Sequence, residues 1–276
     1  MQSFDPQKMI YITGATGQIG QSFRKFLSKS GHTVVVNSRN KVNLYPQEIF
    51  KYYKLGDTIV PIDGDYEHII FHFAHDFGDQ NKNNTNINLI GLRNIIKGFK
   101  SISRKKIIFI STPDVNNPRS TVYTMQKKLA EEVLDHNRDL ILRPSLIYCD
   151  NSKNGMTGIF SAFSKLLIPI PINNNNIAPI CVNEFSKKIF DFVFNKQSVG
   201  IILLKGQNAL SLSKYLKQYY GVNTFKISNI FWLTIVNLFK LTKNKKLFYL
   251  SERILGFIYL RDINVLTESN TIEVVV

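Results

Sequence analysis

"YITGATGQIGQSF", residues 11–23, sets three glycines, Gly14, Gly17 and Gly20, directly behind the apolar run Met9-Ile10-Tyr11-Ile12. Glycine costs stability inside regular structure, so this spacing points to a backbone that turns tightly or lets something approach closely. The apolar run reads as a strand. Residues 18–27 read as a helix, with Ile19, Phe23, Phe26 and Leu27 on one stripe. A strand, a glycine turn and a helix N-terminus make an anion site, because free N–H groups and the helix dipole both favour phosphate. The functional reading is a dinucleotide cradle; the plainer alternative is an ordinary strand–turn–helix.

Working outward, residues 33–37, 69–73, 106–110 and 140–143 read as buried parallel strands, with helical patterns at 86–99 and 123–137 between them. This alternation argues for a doubly wound α/β fold: a parallel sheet covered on both faces by helices, with ligands at the carboxyl ends of the strands. Residues 42–65 hold another strand and a short helix whose register the pattern does not fix. Beyond Tyr148 the character changes. "IPIPINNNN" reads as an exposed connection, residues 184–194 and 211–220 as helices, and 230–260 as an alternation of apolar and basic segments. The division expected is a Rossmann-like core over residues 1–150 and a smaller lobe over 151–276, intertwined with the core rather than independent.

The chain has 276 residues, 44% of them hydrophobic, enough to bury a large core. Cys149 and Cys181 form no metal-type spacing and suit a reducing, cytoplasmic setting. The opening "MQSFDPQK" lacks the apolar stretch of a signal peptide, and no apolar run reaches the ~18 residues of a spanning helix. The net charge is +15, but the lysines are dispersed, with local clusters at Arg104-Lys105-Lys106 and around Lys243 and Lys246. No zinc spacing or recognition-helix signal accompanies them, so nucleic acid is set aside and phosphate-bearing small molecules are favoured.

"YTMQKKLAE", residues 123–131, places Tyr123 and Lys127 four apart on one helix face. A lysine ammonium there is expected to lower the tyrosine pKa, so that the phenol exchanges a proton with an alcohol oxygen while hydride moves at carbon. The pair follows a Ser-Thr at a strand end, Ser111-Thr112. Taken in order, six blocks resemble the extended short-chain dehydrogenase/reductase family, in its NAD(P)-dependent sugar epimerase/dehydratase branch. They are "TGATGQIG", "IIFHFAH", "NLIGLRNII" from Asn88, "IFISTPDV", "YTMQKKLAE" and "LRPSLIYC".

The resemblance implies roles. Tyr123 is the acid/base, Lys127 orients the cofactor ribose, and Thr112 bonds the reacting oxygen, with Ser111 a rival for that part. Gly14, Thr16, Gly17, Gln18, Ile19 and Gly20 shape the pyrophosphate site. Phe73, Ala74 and His75 lie along the cofactor, and Pro144 closes the nicotinamide pocket. A homodimer through the helix of Tyr123 is also implied.

Departures narrow the reading. Sugar dehydratases of the branch carry S-T-D-E at the catalytic strand end; here it is Ser111-Thr112-Pro113-Asp114, and proline cannot exchange a proton, which argues against water loss. Ser38-Arg39 stands where NAD users often place a carboxylate, and a hydroxyl with a guanidinium suits a 2′-phosphate, so NADP is favoured over NAD. Only ten residues separate Thr112 from Tyr123, shorter than the branch usually shows. "ICVNEFSKKI" replaces its H-V-D-D-x-A segment, and no closing segment is recognisable in "TESNTIEVVV". Residues 230–260 loosely resemble the tail of enzymes acting on nucleotide-linked, and sometimes polyprenyl-linked, sugars. Packing of these helices on the core is preferred there to peripheral membrane contact.

The expectation is an NADPH-dependent 4-ketoreductase of a nucleotide sugar, or of a lipid-diphosphate sugar, in cell-surface polysaccharide assembly. An epimerase with retained NAD, and a non-catalytic NAD(P)-binding sensor or scaffold, are the alternatives. No metal is expected.

Overall fold

The computed structural model of the protein describes residues 7–149, 167–242, 244–259, 261–263 and 271–276. The first residues of the chain, Lys243 of the basic cluster and residues 267–270 of the closing stretch lie outside these. The first six strands are β1 (Lys8–Thr13), β2 (Thr33–Ser38), β3 (Glu48–Tyr52), β4 (Glu67–His72), β5 (Lys105–Ile110) and β6 (Leu140–Pro144). Three helices connect them: α1 (Gln18–Leu27), α2 (Ile87–Gly98) and α3 (Val122–Glu131). Beyond them come the short strands β7 (Ile147–Tyr148), β8 (Leu167–Pro171), β9 (Asn176–Ile177) and β10 (Ile180–Cys181), then helix α4 (Val182–Phe190), which runs into a π-turn at Asp191–Asn195. The chain continues through β11 (Gly200–Lys205), β12 (Leu210–Ser211), α5 (Leu212–Tyr220), β13 (Asn223–Ile227), α6 (Asn229–Leu241), α7 (Lys245–Ile258) and β14 (Thr271–Val275).

Eight strands form one parallel sheet in the order β14-β11-β6-β5-β4-β1-β2-β3. The run of apolar residues in each central strand has this cause: the strands are buried on both faces. Alternate side chains serve opposite cores. Ile10 and Ile12 of β1 pack with Phe23, Leu27, Phe185 and Ile189 of α1 and α4, while Met9 and Tyr11 pack with Leu92, Ile95 and Phe99 of α2 and its C-terminus. Strand order reverses between β1 and β4, and the crevice at their carboxyl ends is where such sheets take ligands.

Four sequence expectations change. Residues 42–65 contribute β3 and no helix. This is an edge strand with Ile49 and Tyr52 exposed, so its pattern is weak; a buried pair from Arg24 of α1 to Glu48 (Nε–Oε1 2.9 Å, Nη2–Oε2 2.6 Å) holds its start. The helix of Tyr123 ends at Glu131, well before residue 137. "IPIPINNNN" is not only a connection: β8 pairs in parallel with β13. In this two-stranded ribbon β8 has a free edge, where the missing N–H groups of Pro169 and Pro171 are tolerated. "TIEVVV" supplies β14, an edge of the main sheet. Two strands and one helix of the C-terminal half thus belong to the same core as the glycine turn.

Candidate active site and cofactor cradle

The three glycines divide by cause. Gly14 has φ +67°, and a Cβ there would meet Ala74 N at 2.5 Å and Phe73 C at 2.6 Å. A Cβ on Gly20 would meet Gly14 O at 2.3 Å. Both are demanded by the protein's own packing. Gly17 is different: its nearest contact would be Gly14 O at 3.3 Å, so the fold leaves room in front of it. Gly17 is also the N-cap of α1, it provides no side-chain cap, and the first turn carries no acidic residue. The first-turn N–H groups and the positive end of the helix dipole are presented together, the arrangement a pyrophosphate fits. Thr16 is exposed beside this turn, its carbonyl accepting from Gln21 Nε2 at 2.7 Å; Gln18 and Ile19 are half-buried in the first turn, Ile19 packing on the core.

At the end of β2, Ser38 is buried and accepts from Asn40 N at 3.3 Å; Arg39 is exposed and forms no ion pair among the described residues. At the end of β4, Phe73 N donates to Thr13 O and Ala74 N to Thr13 Oγ1, which also bonds His72 Nδ1 at 2.8 Å. The strand end is thereby fixed against Gly14. Burial pushes His72 down to about 3, so it is neutral. His75 turns toward Tyr123, ring centroids 5.1 Å apart and nearly perpendicular. Pro144 closes β6 and is buried.

Helix α3 is capped by Thr121, whose hydroxyl accepts from Thr124 N. Along one face it carries Tyr123, Lys127 and Glu131. Lys127 Nζ donates to Ile110 O at 2.7 Å and lies 4.5 Å from the Phe109 ring centre and 5.6 Å from that of Tyr123. Glu131 forms a buried, two-bonded pair with Arg143 of β6 (3.0 and 2.6 Å). The face that presents the tyrosine is thus pinned to the ends of β5 and β6.

The electrostatics reverse one expectation. Burial pushes the Tyr123 phenol up to about 12, with Arg253 pulling down and Asp114 and Tyr249 pushing up. Lys127 is not the cation that acts on it. Burial brings Lys127 itself to about 7, against the opposing pull of Glu131, and its ammonium is directed at the Ile110 carbonyl.

Thr112 is buried and its Oγ1 accepts a long bond, 3.4 Å, from Asp114 N; Ser111 Oγ is buried with no partner. Asp114 is pushed up by burial to about 6, Arg261 and Asn117 opposing, and its Oδ1 has no partner. His75 Nε2 is likewise without one. Three such atoms around Tyr123 and the end of β5 are unusual in a folded protein and mark where a polar ligand belongs.

Sequence reasoning missed the far wall. Phe77 stacks on Tyr123 (5.6 Å, 23°), and Tyr249 and Arg253 of α7 close on Phe77 at 5.6 and 5.2 Å. Glu252 Oε2 accepts from Val122 N at 2.6 Å, so a carboxylate of α7 sits on the N-terminus of α3, with Lys240 of α6 on its other oxygen at 2.9 Å. Asn117 Nδ2 donates to Tyr259 O, tying the short loop after Thr112 to the end of α7. No local signal in 230–260 announces these contacts. The pair Asn88–Gln126 (2.9 Å) was also missed; with Asn88 bonds to both backbone atoms of Asp76, it anchors the loop that follows His75. Among the described residues no cluster could hold a metal.

Residues 10–138, which carry the glycine turn and all of α3, match the NAD dependent epimerase/dehydratase family. No curated protein matches. Among solved structures the chain is similar to dTDP-glucose 4,6-dehydratase from Bacillus anthracis in complex with NAD: TM-score 0.63, 15% identity, 80% of this chain and 84% of that one covered. It is similar to UDP-N-acetylglucosamine 4-epimerase from Bacillus cereus (0.62, 15%, 80% and 86%). The terminal R domain of the myxalamid PKS-NRPS pathway gives 0.65 at 14%, over 98% of this chain and 83% of that one. The fold is shared with these solved structures, and residues 10–138 are similar to the NAD dependent epimerase/dehydratase family.

Proposed function

We propose that the protein is an NADPH-dependent reductase of a keto nucleotide sugar, acting at the 4-keto position in cell-surface polysaccharide assembly. One observation supports the reductase: Ser38 and the exposed Arg39, which forms no ion pair among the described residues, stand at the end of β2, where a hydroxyl with a guanidinium suits the 2′-phosphate of NADPH. The Tyr123 phenol, protonated at neutral pH, has the proton that a nascent alkoxide takes.

Gly17 and the first turn of α1 would hold the pyrophosphate, Ser38 and Arg39 a 2′-phosphate, Phe73, Ala74 and His75 the nicotinamide side, and Pro144 the base of that pocket. Hydride transfer to a carbonyl carbon is the chemistry NADPH supplies when bound. Tyr123 gives its proton to the oxygen of that carbonyl, and the Thr112 hydroxyl steadies the charge there. Arg253 favours the phenolate that remains. Lys127, near half-protonation at neutral pH and on the same helix face, orients the ribose and restores the proton. Water loss by a carboxyl pair is disfavoured because Pro113 takes one position, leaving Asp114 alone.

The second reading is an epimerase that retains NAD. The wall of Phe77, Tyr249 and Arg253 favours it, since a closed site keeps a keto intermediate from leaving. The discriminating experiment is titration of the purified protein with NADPH and NADH by nicotinamide fluorescence, followed by assay on 4-keto nucleotide sugars. About tenfold tighter NADPH, turnover with NADPH, and a ~100-fold or greater loss on Tyr123→Phe with binding kept support the reductase. NAD carried through purification with interconversion of C4 epimers replaces it by the epimerase. Binding without turnover, unchanged by Tyr123→Phe, leaves a sensor or scaffold.

A further inference from the structure

Helix α6 departs from the pattern of α1, α4 and α5, which turn their apolar residues inward. Its sequence, NIFWLTIVNLFKL, is apolar almost all round, yet Val236 is its one fully buried residue. Ile230, Phe231, Leu238 and Leu241 are 77, 49, 57 and 81% exposed. At about 100° per residue these four fall with Thr234 and Asn237 on a single stripe about 120° wide. The opposite side, with Val236 and Lys240, packs along α7. Exposed apolar side chains in this number on one helix mark a contact surface rather than a solvated face.

Charge selects the occupant. From residue 223 to 259 the chain has five lysines and one arginine against a single acid, Glu252, and Glu252 is already engaged with Lys240 and Val122 N. Three of the lysines fall within the five-residue sequence "TKNKK" that follows α6. The ribbon entering α6 adds exposed Phe225 and Lys226, and Ile172, 46% exposed, whose carbonyl accepts from Asn229 Nδ2. A second copy docked through the same stretch would bring to these cations only its own Glu252, which is already engaged. An anionic lipid surface meets both features at once, apolar side chains at the acyl boundary and lysines among the headgroups. No helix among the described residues is long and apolar enough to cross a membrane, and the thirteen residues of α6 extend about 20 Å, so the helix would lie in the plane of the interface.

We propose that α6 docks the protein on an anionic membrane surface, with Ile230, Phe231, Leu238 and Leu241 entering the interface and the lysine-rich stretch on the headgroups. The proposal is independent of the reaction assigned to Tyr123. The test is co-sedimentation of the full chain with vesicles of phosphatidylcholine and phosphatidylglycerol, and with phosphatidylcholine alone. Binding to the mixed vesicles, weakened by salt, is expected; Leu238→Ser with Leu241→Ser should weaken it about tenfold. Lys245→Gln with Lys246→Gln should remove the preference for anionic lipid. Because Leu238, Leu241 and Lys246 are exposed, thermal melts of the variants should match the parent; Ile230→Ser with Phe231→Ser is the second apolar variant should the first melt early. No binding to the mixed vesicles, equal binding by parent and apolar variants, or equal binding to neutral vesicles overturns the proposal. So does a dimer in solution that the apolar variants disperse, which would make the stripe a contact between copies.

Discussion

The turn between β1 and α1 and the hairpin of α6 and α7 are built by opposite means. The turn is specified by backbone: Gly14 and Gly20 are required within a few residues of one another, and the nearest atoms that require them belong to the turn itself, at Gly14 and Ala15, or to Phe73 and Ala74 just past β4. The hairpin is specified by side chains that cross the molecule. Glu252 lies 130 residues beyond its partner Val122, and Arg253 and Tyr249 reach Tyr123 through Phe77. A local device leaves a motif in the sequence. A device assembled by packing leaves ordinary apolar helices.

That comparison can be broken at several points. The largest effect is expected from the turn: Gly14→Ala or Gly20→Ala should each cost about 3 kcal/mol in urea unfolding, from positive φ or backbone overlap. A loss near zero would mean the turn relaxes and the glycines are not structural.

Next is the hairpin. Glu252→Leu strands a buried N–H and a lysine, and should cost about 2 kcal/mol. It should also lower kcat with little change in NADPH affinity, since the hairpin touches the tyrosine side of the site. An equal fall in cofactor affinity would show that the two regions are not separate in function.

Gly17→Ala sharpens the comparison. Stability should move by no more than about 1 kcal/mol, while NADPH affinity falls about tenfold as the methyl group enters the cradle. If affinity is unchanged, Gly17 does not face the pyrophosphate.

A further effect is read along pH. Asp114 is pushed up by burial to about 6 from an ordinary value of 3.8, so the folded state binds more protons between those values. Its contribution is fully present below the unfolded value and is lost as pH rises toward 6. Asp114→Asn should therefore gain on the parent as pH goes from about 4 to about 6 in denaturant titrations. Parallel stability curves would show that the carboxyl is not desolvated.

Much of the cradle half was legible for a physical reason. Strands buried on both faces must be apolar runs, glycine is the residue that tolerates the Gly14 backbone, and a helix shows its period. Hence β1, α1, β2, β4, α2, β5 and β6 stand within a residue or two of their sequence assignments, and α1 coincides with its own. The failures share a cause too. Edge strand β3 and ribbon strand β8 bury one face at most, so their patterns fade, and prolines disguise β8 as a loop. Of the candidate site, the sequence could place Tyr123, Lys127 and Thr112 at one end of a sheet, because crossover topology brings those strand ends together. It could not foresee that Lys127 would be directed at the Ile110 carbonyl while Arg253 is the cation that lowers the phenol, since which cation acts on a buried group is a matter of a few ångströms.

The sequence by itself therefore determined the doubly wound sheet, the glycine cradle and the helix of Tyr123, all features whose forces act between near neighbours or through a periodic pattern. Tertiary structure alone decided the wall over Tyr123, the protonation of its partners and the outward stripe of α6. Those depend on burial, and burial is a property of the whole packed chain that no short stretch of it contains.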